Sequence, residues 1–350
     1  MNTSIINEDL NRIVSDENID WTLFRNATVL VTGANGFLPA YLVETLLHLN
    51  DVQEMGITVL ALVRNKEKAQ NRFVYRLGRK DLVFLVQDVA DAIQYEGSID
   101  YIIHSASQAS PKYYGSDPVG TLKANVLGTY NMLELAREKK VKSFLFFSSN
   151  EIYGKVPVEC NPQDEMTDGY LDTCAVRSCY AESKRMGETM CVSWHHQYGV
   201  PAKMVRIFHS FGPGITLNDG RVFGDFVRNV LEGTDIVLNS DGSALRAFCY
   251  VSDATRAFFT ILLHGENANA YNMGNPDNEI SILDLANLLV NQYPEKKMRV
   301  QVNVPRNQEG YIKSPLSRGL PDITKLKNLG WNPVVSIGEA FDRTIHSFIE

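Results

Sequence analysis

Nowhere does the chain carry an apolar run approaching the roughly 20 residues that span a bilayer; Ala257–Leu263 (AFFTILL) is among the longest. The opening MNTSIINEDLNRIVSDENIDW has no basic stretch followed by an apolar core. It reads as neither signal nor transit peptide, and a cytoplasmic location away from any membrane is expected. The five cysteines, Cys160, Cys174, Cys179, Cys191 and Cys249, form an odd set with no C-x-x-C pair and no histidine at zinc spacing. Reduced thiols and no metal site are expected. No Lys/Arg block is dense enough to follow a nucleic-acid backbone, and the formal net charge is −7, so nucleic acid is excluded as a partner. Internal repeats and Gly/Ser linkers are missing too. What remains is ordinary globular composition, 44% hydrophobic and 21% charged over 350 residues. That is long enough for two domains, or one with an elaborated cap, and for a core needing no disulfide or metal staples.

From Ala27 onward the pattern is β-α-β. Thr28–Thr32 (TVLVT) is a β-branched strand, and Ala40–Leu49 carries apolar residues at helical spacing. Further strands are expected at Ile57–Val63, Leu82–Val86, Tyr101–Ile103 and Phe144–Ser148, alternating with helical stretches such as Thr121–Lys139. This alternation predicts an α/β fold, a doubly wound parallel sheet with helices on both faces. After about residue 160, Pro/Asp/Gly-rich stretches at Glu159–Asp172 and Phe211–Gly220 interrupt helices expected at Tyr180–Tyr198 and Arg221–Glu232. A smaller C-terminal lobe interleaved with the last strands is expected, with ligands beyond the carboxyl ends of the sheet. The first 26 residues form a separate helical arm, 27–205 mainly the first domain, and 206–350 mainly the second lobe.

Between the first strand and its helix stands Gly33-Ala34-Asn35-Gly36-Phe37-Leu38-Pro39. Glycines at such a junction permit a tight turn and close approach of backbone N–H groups to a pyrophosphate, so a Rossmann-like dinucleotide site is predicted. Pro39 stands where a small residue is usual, and proline is tolerated in the first helical turn. The second strand ends in Val63-Arg64-Asn65 rather than in the carboxylate that holds an adenosine ribose and selects NAD. Arg64, with Lys68, either pairs with a 2′-phosphate and favours NADP or is a solvated basic turn. Asp88-Val89, after another apolar strand, is an expected adenine contact.

Tyr180-Ala181-Glu182-Ser183-Lys184 places a phenol and an ammonium on one helix face. A tyrosine is a poor base near neutrality unless positive charge favours its phenolate. Lys184 and an oxidised nicotinamide are the expected sources of that charge. Ser148-Ser149-Asn150-Glu151 at a strand end completes the set.

The glycine loop, Ser149, Tyr180 and Lys184, in this order, resemble the extended short-chain dehydrogenase/reductase superfamily acting on nucleotide sugars. Within it the chain resembles the UDP-glucuronate decarboxylases, through HSASQASPKYYGSDPVGTLKANVLGT (104–129), RSCYAESKRMGETMC (177–191), NDGRVFGDF (218–226), DGSALRAFCYVSD (241–253) and YNMGNPD (271–277). The resemblance implies bound NAD, with NADP as the alternative, contacted by Gly33, Asn35, Gly36, Phe37, Leu38, Arg64, Asp88, Val89, Ser105, Ala106, Tyr180 and Lys184. It implies that Tyr180 takes the proton of the sugar C4 hydroxyl, Ser149 binds the same oxygen, and Glu151 and Arg246 surround the reacting sugar. Substrate contacts are implied for Ser107, Asn150, His209, Arg221, Arg246 and Tyr250. A UDP-linked sugar substrate and a homodimer built on the helices at 121–139 and 180–198 also follow from the resemblance.

Three departures bear on the reaction. Asn150 stands where the related 4,6-dehydratases carry an acidic Asp and the decarboxylases usually a Ser. His209 replaces the usual Asn, and Gly214 the Arg that commonly follows Gly-Pro. A 4-epimerase, a 4,6-dehydratase and an NADPH-dependent 4-keto reductase are therefore alternatives to the decarboxylase, and a non-catalytic nucleotide sensor is a reading from another class.

Overall fold

The computed structural model describes residues 3–218, 220–303 and 318–349. Its centre is a seven-stranded parallel sheet. In chain order the strands are β1 (Thr28–Thr32), β2 (Thr58–Val63), β3 (Leu82–Val86), β4 (Tyr101–His104), β5 (Ser143–Ser149) and β6 (Ala202–Ile207), followed by an edge strand at Ala270–Met273. Across the sheet the order is Ala270–Met273, β6, β5, β4, β1, β2, β3. The order reverses between β1 and β4, which opens a crevice at their carboxyl ends. Most of these strands are unbroken apolar runs because helices cover both faces: all of β5 is buried, and so are Val59–Val63 of β2. The expected α/β doubly wound sheet is the observed one, with every expected strand within a residue or so of its place.

The helices follow from local signals. The arm is α1 (Thr3–Val14), which buries Leu10 and Ile13. Helix α2 (Phe37–Gln53) starts directly after Gly36, whose residue has no capping side chain, and no acidic residue lies in its first turn. Its first N–H groups therefore face the crevice without a partner supplied by a cap. Asn65 caps α3 (Lys66–Arg72) by accepting from the Lys68 N–H at 2.9 Å. The stretch expected as one helix at 121–139 is divided: α4 (Pro111–Ser116) and α5 (Pro118–Leu122) lead into a π-helical turn at Lys123–Leu127 and then α6 (Gly128–Lys139). The wide turn coincides with buried Asn125, whose Nδ2 donates to Ser183 Oγ at 2.9 Å.

Helix α7 (Ser178–Tyr198) ends at Gly199 in the left-handed conformation, and Gly187 lets it lie directly against the Phe146 ring of β5. Leu133 and Leu135 face the core, whereas Met186 is exposed. Helix α8 (Val222–Glu232) belongs to the second lobe, and α9 (Val251–His264) is buried from Val251 through Leu262. A helix buried around its whole circumference belongs inside a protein, and α9 packs behind β5 and β6. The C-terminal helix Ile337–His346 closes against the arm through Arg343, which bridges Glu8 and Asp9. Among the described residues no helix is long and apolar enough to cross a membrane.

Candidate active site

The glycine turn sits where the expectation put it. Gly33 has φ +63°, and a Cβ there would lie 2.9 Å from the Ala106 Cα, so the β1–α2 turn and the segment after β4 approach more closely than a side chain permits. Thr32 holds that segment: its Oγ1 accepts from the N–H groups of Ser105 and Ala106, both at 3.0 Å. His104, behind it, is bonded through its ring nitrogens to Thr32 at 2.9 Å and Thr129 at 3.1 Å. Burial, aided by the Lys184 charge, pushes its pKa down to about 3, so it is a neutral strut.

Two adjoining cavities open from this turn. The smaller, about 300 Å³, is lined by Asn35, Arg64, Lys68, Asp88 and Val89 and shares Gly33, Gly36, Ala106 and Ser107 with the larger. Arg64 is 61% exposed, and its guanidinium stands 3.8 Å from Asp88. The larger cleft, about 450 Å³, gathers Phe37, Leu38 and Ser105 at one side and Ser149, Asn150, Glu151, Tyr180 and Lys184 in the middle. His209, Arg221 and Arg246 close it from the second lobe. Its charged lining is Arg177, Lys184, Arg221 and Arg246 against Glu151 alone, an excess of cations in a chain of net charge −7. Such a lining favours an anionic ligand.

Ser149 and Tyr114 line the cleft with Tyr180, and the Tyr114 hydroxyl donates to the Ala109 carbonyl at 3.1 Å. The Tyr114 ring stacks on that of Tyr180, with centroids 4.7 Å apart and planes at 16°. Burial, then the charge of Glu151, push the Tyr180 phenol up to about 12. Lys184, expected to offset this, has its ammonium 5.8 Å from the Tyr180 ring centroid and donates to the Phe147 carbonyl at 2.7 Å. Burial brings its own pKa down to about 7. Lys184 is thus bonded to the strand carbonyl rather than to the phenol.

Glu151 lies in the turn after β5, where its N–H donates to Ser149 Oγ at 3.2 Å, and its carboxylate receives both terminal nitrogens of Arg177, at 2.9 and 3.1 Å. Arg177 and Tyr114 were not among the residues expected from the sequence. A signal existed for each: Arg177 is three residues before Tyr180, hence on its side of the helix start, and Tyr114 lies within the 104–129 motif.

Four buried polar atoms of the cleft have no hydrogen-bond partner among the described residues: Ser107 Oγ, Asn150 Nδ2, Arg177 Nε and His209 Nε2. Unpaired buried polar groups are costly, so their concentration on one cavity points to a polar ligand that completes them. His209 is neutral, its pKa lowered to about 3 by burial and then by Arg246 and Arg221. The departure at Gly214 also has a structural counterpart. Arg72, at the end of α3, donates to the Gly214 carbonyl at 3.2 Å, and Gly214 has φ +88°, with any Cβ placed 2.5 Å from the Arg72 guanidinium.

Tyr250 corrects an expectation. It is not among the residues lining the cleft; it is buried, and its hydroxyl donates to Asp9 at 2.7 Å while Arg343 Nε lies 3.3 Å away. Asp9, which the arm supplies, is the hydroxyl's partner.

Comparisons with known proteins agree with this arrangement. Residues 29–274 match the model of the NAD dependent epimerase/dehydratase family. The chain is 34% identical to UDP-glucuronic acid decarboxylase 6 of Arabidopsis thaliana over 316 residues, 90% of this chain and 86% of that one. It is 34% identical to UDP-glucuronic acid decarboxylase 1 of Xenopus tropicalis over 91% of this chain and 72% of that one. Among solved structures, the UDP-glucose 4-epimerase of Thermotoga maritima superposes with a TM-score of 0.79 at 24% identity, covering 92% of this chain and 98% of that chain. The fold, the glycine turn and the tyrosine-lysine helix thus meet in one conclusion: the chain belongs to the NAD dependent epimerase/dehydratase family, within the extended short-chain dehydrogenase/reductase superfamily.

Proposed function

We propose that the protein is a nucleotide-sugar enzyme that decarboxylates UDP-glucuronate through transient oxidation at the sugar C4. The observation that carries this reading is the cleft in which Ser149, Tyr180 and Lys184 stand beside one carboxylate, Glu151, among three guanidinium groups, Arg177, Arg221 and Arg246. The named relatives at 34% identity support the choice of sugar.

NAD fits the residues present. The Gly33 turn and the uncapped start of α2 suit a diphosphate, and the smaller cavity suits the adenosine. When bound, its nicotinamide accepts and returns a hydride at the sugar C4. Tyr180 takes the C4 hydroxyl proton and Ser149 holds that oxygen by a hydrogen bond. The resulting ketone is β to the C5 carboxylate, so the bond to the carboxylate carbon breaks with its electron pair moving into an enolate, and carbon dioxide leaves. Arg246 offsets the negative charge as it develops. A proton taken up from solvent then joins C5, and Tyr180 returns its own proton as the C4 alcohol is restored. Ser107, Asn150, His209 and Arg221 bind the nucleotide sugar, and Lys184 orients the cofactor.

Mass spectrometry of UDP-glucuronate after incubation with the purified protein and NAD tests this. Loss of one carbon dioxide without accumulation of reduced cofactor is expected; unchanged substrate in the presence of bound NAD would refute it. A second reading, net reduction of a keto sugar by NADPH, draws on Arg64 and Lys68 in the adenosine cavity, and stoichiometric consumption of NADPH would select it.

A homodimer is part of the proposal. Val119, Leu122, Leu127, Tyr130, Met186 and Val192, from α5 to α7, are all exposed, and one apolar face across these helices suits a two-fold partner. A molecular mass in solution near twice the chain mass would support it.

A further inference from the structure

We propose that Arg177 is a positioning residue: by pairing with Glu151 it lets a carboxylate stand beside the Tyr180 hydroxyl without blocking proton transfer from the sugar. The proposal rests on the reading of Tyr180 as the C4 base and adds a residue to it.

The geometry leads there in three steps. Glu151 and Tyr180 line the same cleft, and negative charge beside a phenol opposes its ionisation. The Arg177–Glu151 pair is two-pronged, at 2.9 and 3.1 Å, and both side chains are about three-quarters shielded from solvent, so the pair holds an orientation as well as a charge balance. The same guanidinium carbon lies 5.8 Å from the Tyr114 ring centroid, and the Tyr114 ring is stacked on that of Tyr180. Arg177 therefore reaches the phenol by two routes, through the carboxylate and through the ring stack.

The other groups that act on Tyr180 are spread over every surrounding element. Glu151 comes from the turn after β5, Tyr114 from α4, Lys184 from α7 itself and Arg221 from the residue before α8. Glu151 in turn faces Tyr114 and Cys179. Arg177 is the guanidinium placed on Glu151, while Lys184 is engaged by the Phe147 carbonyl. A lysine at 177 would keep the charge but lose the planar two-pronged grip.

The test is a spectrophotometric titration of the Tyr180 phenolate in the NAD-loaded protein, isolated by subtracting the Tyr180→Phe variant. Arg177→Gln is expected to move the midpoint up by about one pH unit, the size that one nearby charge produces. Arg177→Lys should move it by less, and Arg177→Gln/Glu151→Gln should bring it back to the wild-type value or below. If Arg177→Gln titrates with the wild type, or the double variant stays with the single one, the proposal is overturned. Should Arg177→Gln fail to fold, Glu151→Gln alone decides: a downward shift supports the proposal and an unmoved midpoint sinks it. Because the titration needs no sugar, its failure is separate from a failure to decarboxylate UDP-glucuronate.

Discussion

Two buried polar regions of this protein are built in opposite ways. Around the arm, buried charge is fully engaged: Asp9 accepts from Tyr41, Tyr250 and Arg343, and Asp253 from the N–H groups of Val334 and Val335 and from Arg256. In the cleft, Ser107, Asn150, Arg177 and His209 each keep a buried polar atom with no partner among the described residues. Burial alone does not separate them, since both regions exclude water. Ser252 Oγ beside Asp253 also lacks such a partner, so the difference is one of number: the first region engages its buried charges to hold the chain together, and the second gathers four unpaired polar atoms on one cavity.

Substitutions in each region sharpen the contrast. The largest effect is expected from Tyr180→Phe, which should lower turnover by about 10²–10⁴-fold while leaving the melting temperature near that of the wild type; wild-type turnover would break the assignment. Next is Asp9→Ala, which leaves Arg343 without its buried carboxylate. Stability should fall by about 3–5 kcal/mol, measured by denaturant unfolding, with turnover retained at a temperature where the variant is folded. Loss of turnover without loss of stability would erase the distinction between the regions.

The smallest effect is a pH slope. His104 and His209 are held neutral down to about pH 3. Below about 6.5 the unfolded chain takes up protons that the folded state refuses. Stability is therefore fully present above that pH and is lost as pH falls toward 3. His209→Asn should make the decline shallower by one proton, about 1.4 kcal/mol per pH unit, as read from unfolding curves at successive pH values. An unchanged slope would show that His209 charges freely in the folded protein.

The contrast also explains what could be read from the sequence. The sheet was legible because parallel strands buried on both faces are apolar runs, as in Thr28–Thr32 and Thr58–Val63. Tyr180 and Lys184 were legible because helical spacing puts them on one face. Tyr250 was not, because its hydroxyl's partner is Asp9, 241 positions earlier, and no local pattern encodes so distant a partner. The π-helical turn at Lys123–Leu127 escaped for a similar reason: the buried Asn125–Ser183 bond spans 58 positions. Arg177 and Tyr114 had local signals, but their importance lies in what they touch.

The contact of Arg72 with the Gly214 carbonyl sets what position 214 can hold. Any side chain there would meet a backbone in the left-handed region, which strains every L residue, and the tip of Arg72, which is free to swing aside. The backbone rather than the guanidinium therefore keeps position 214 a glycine.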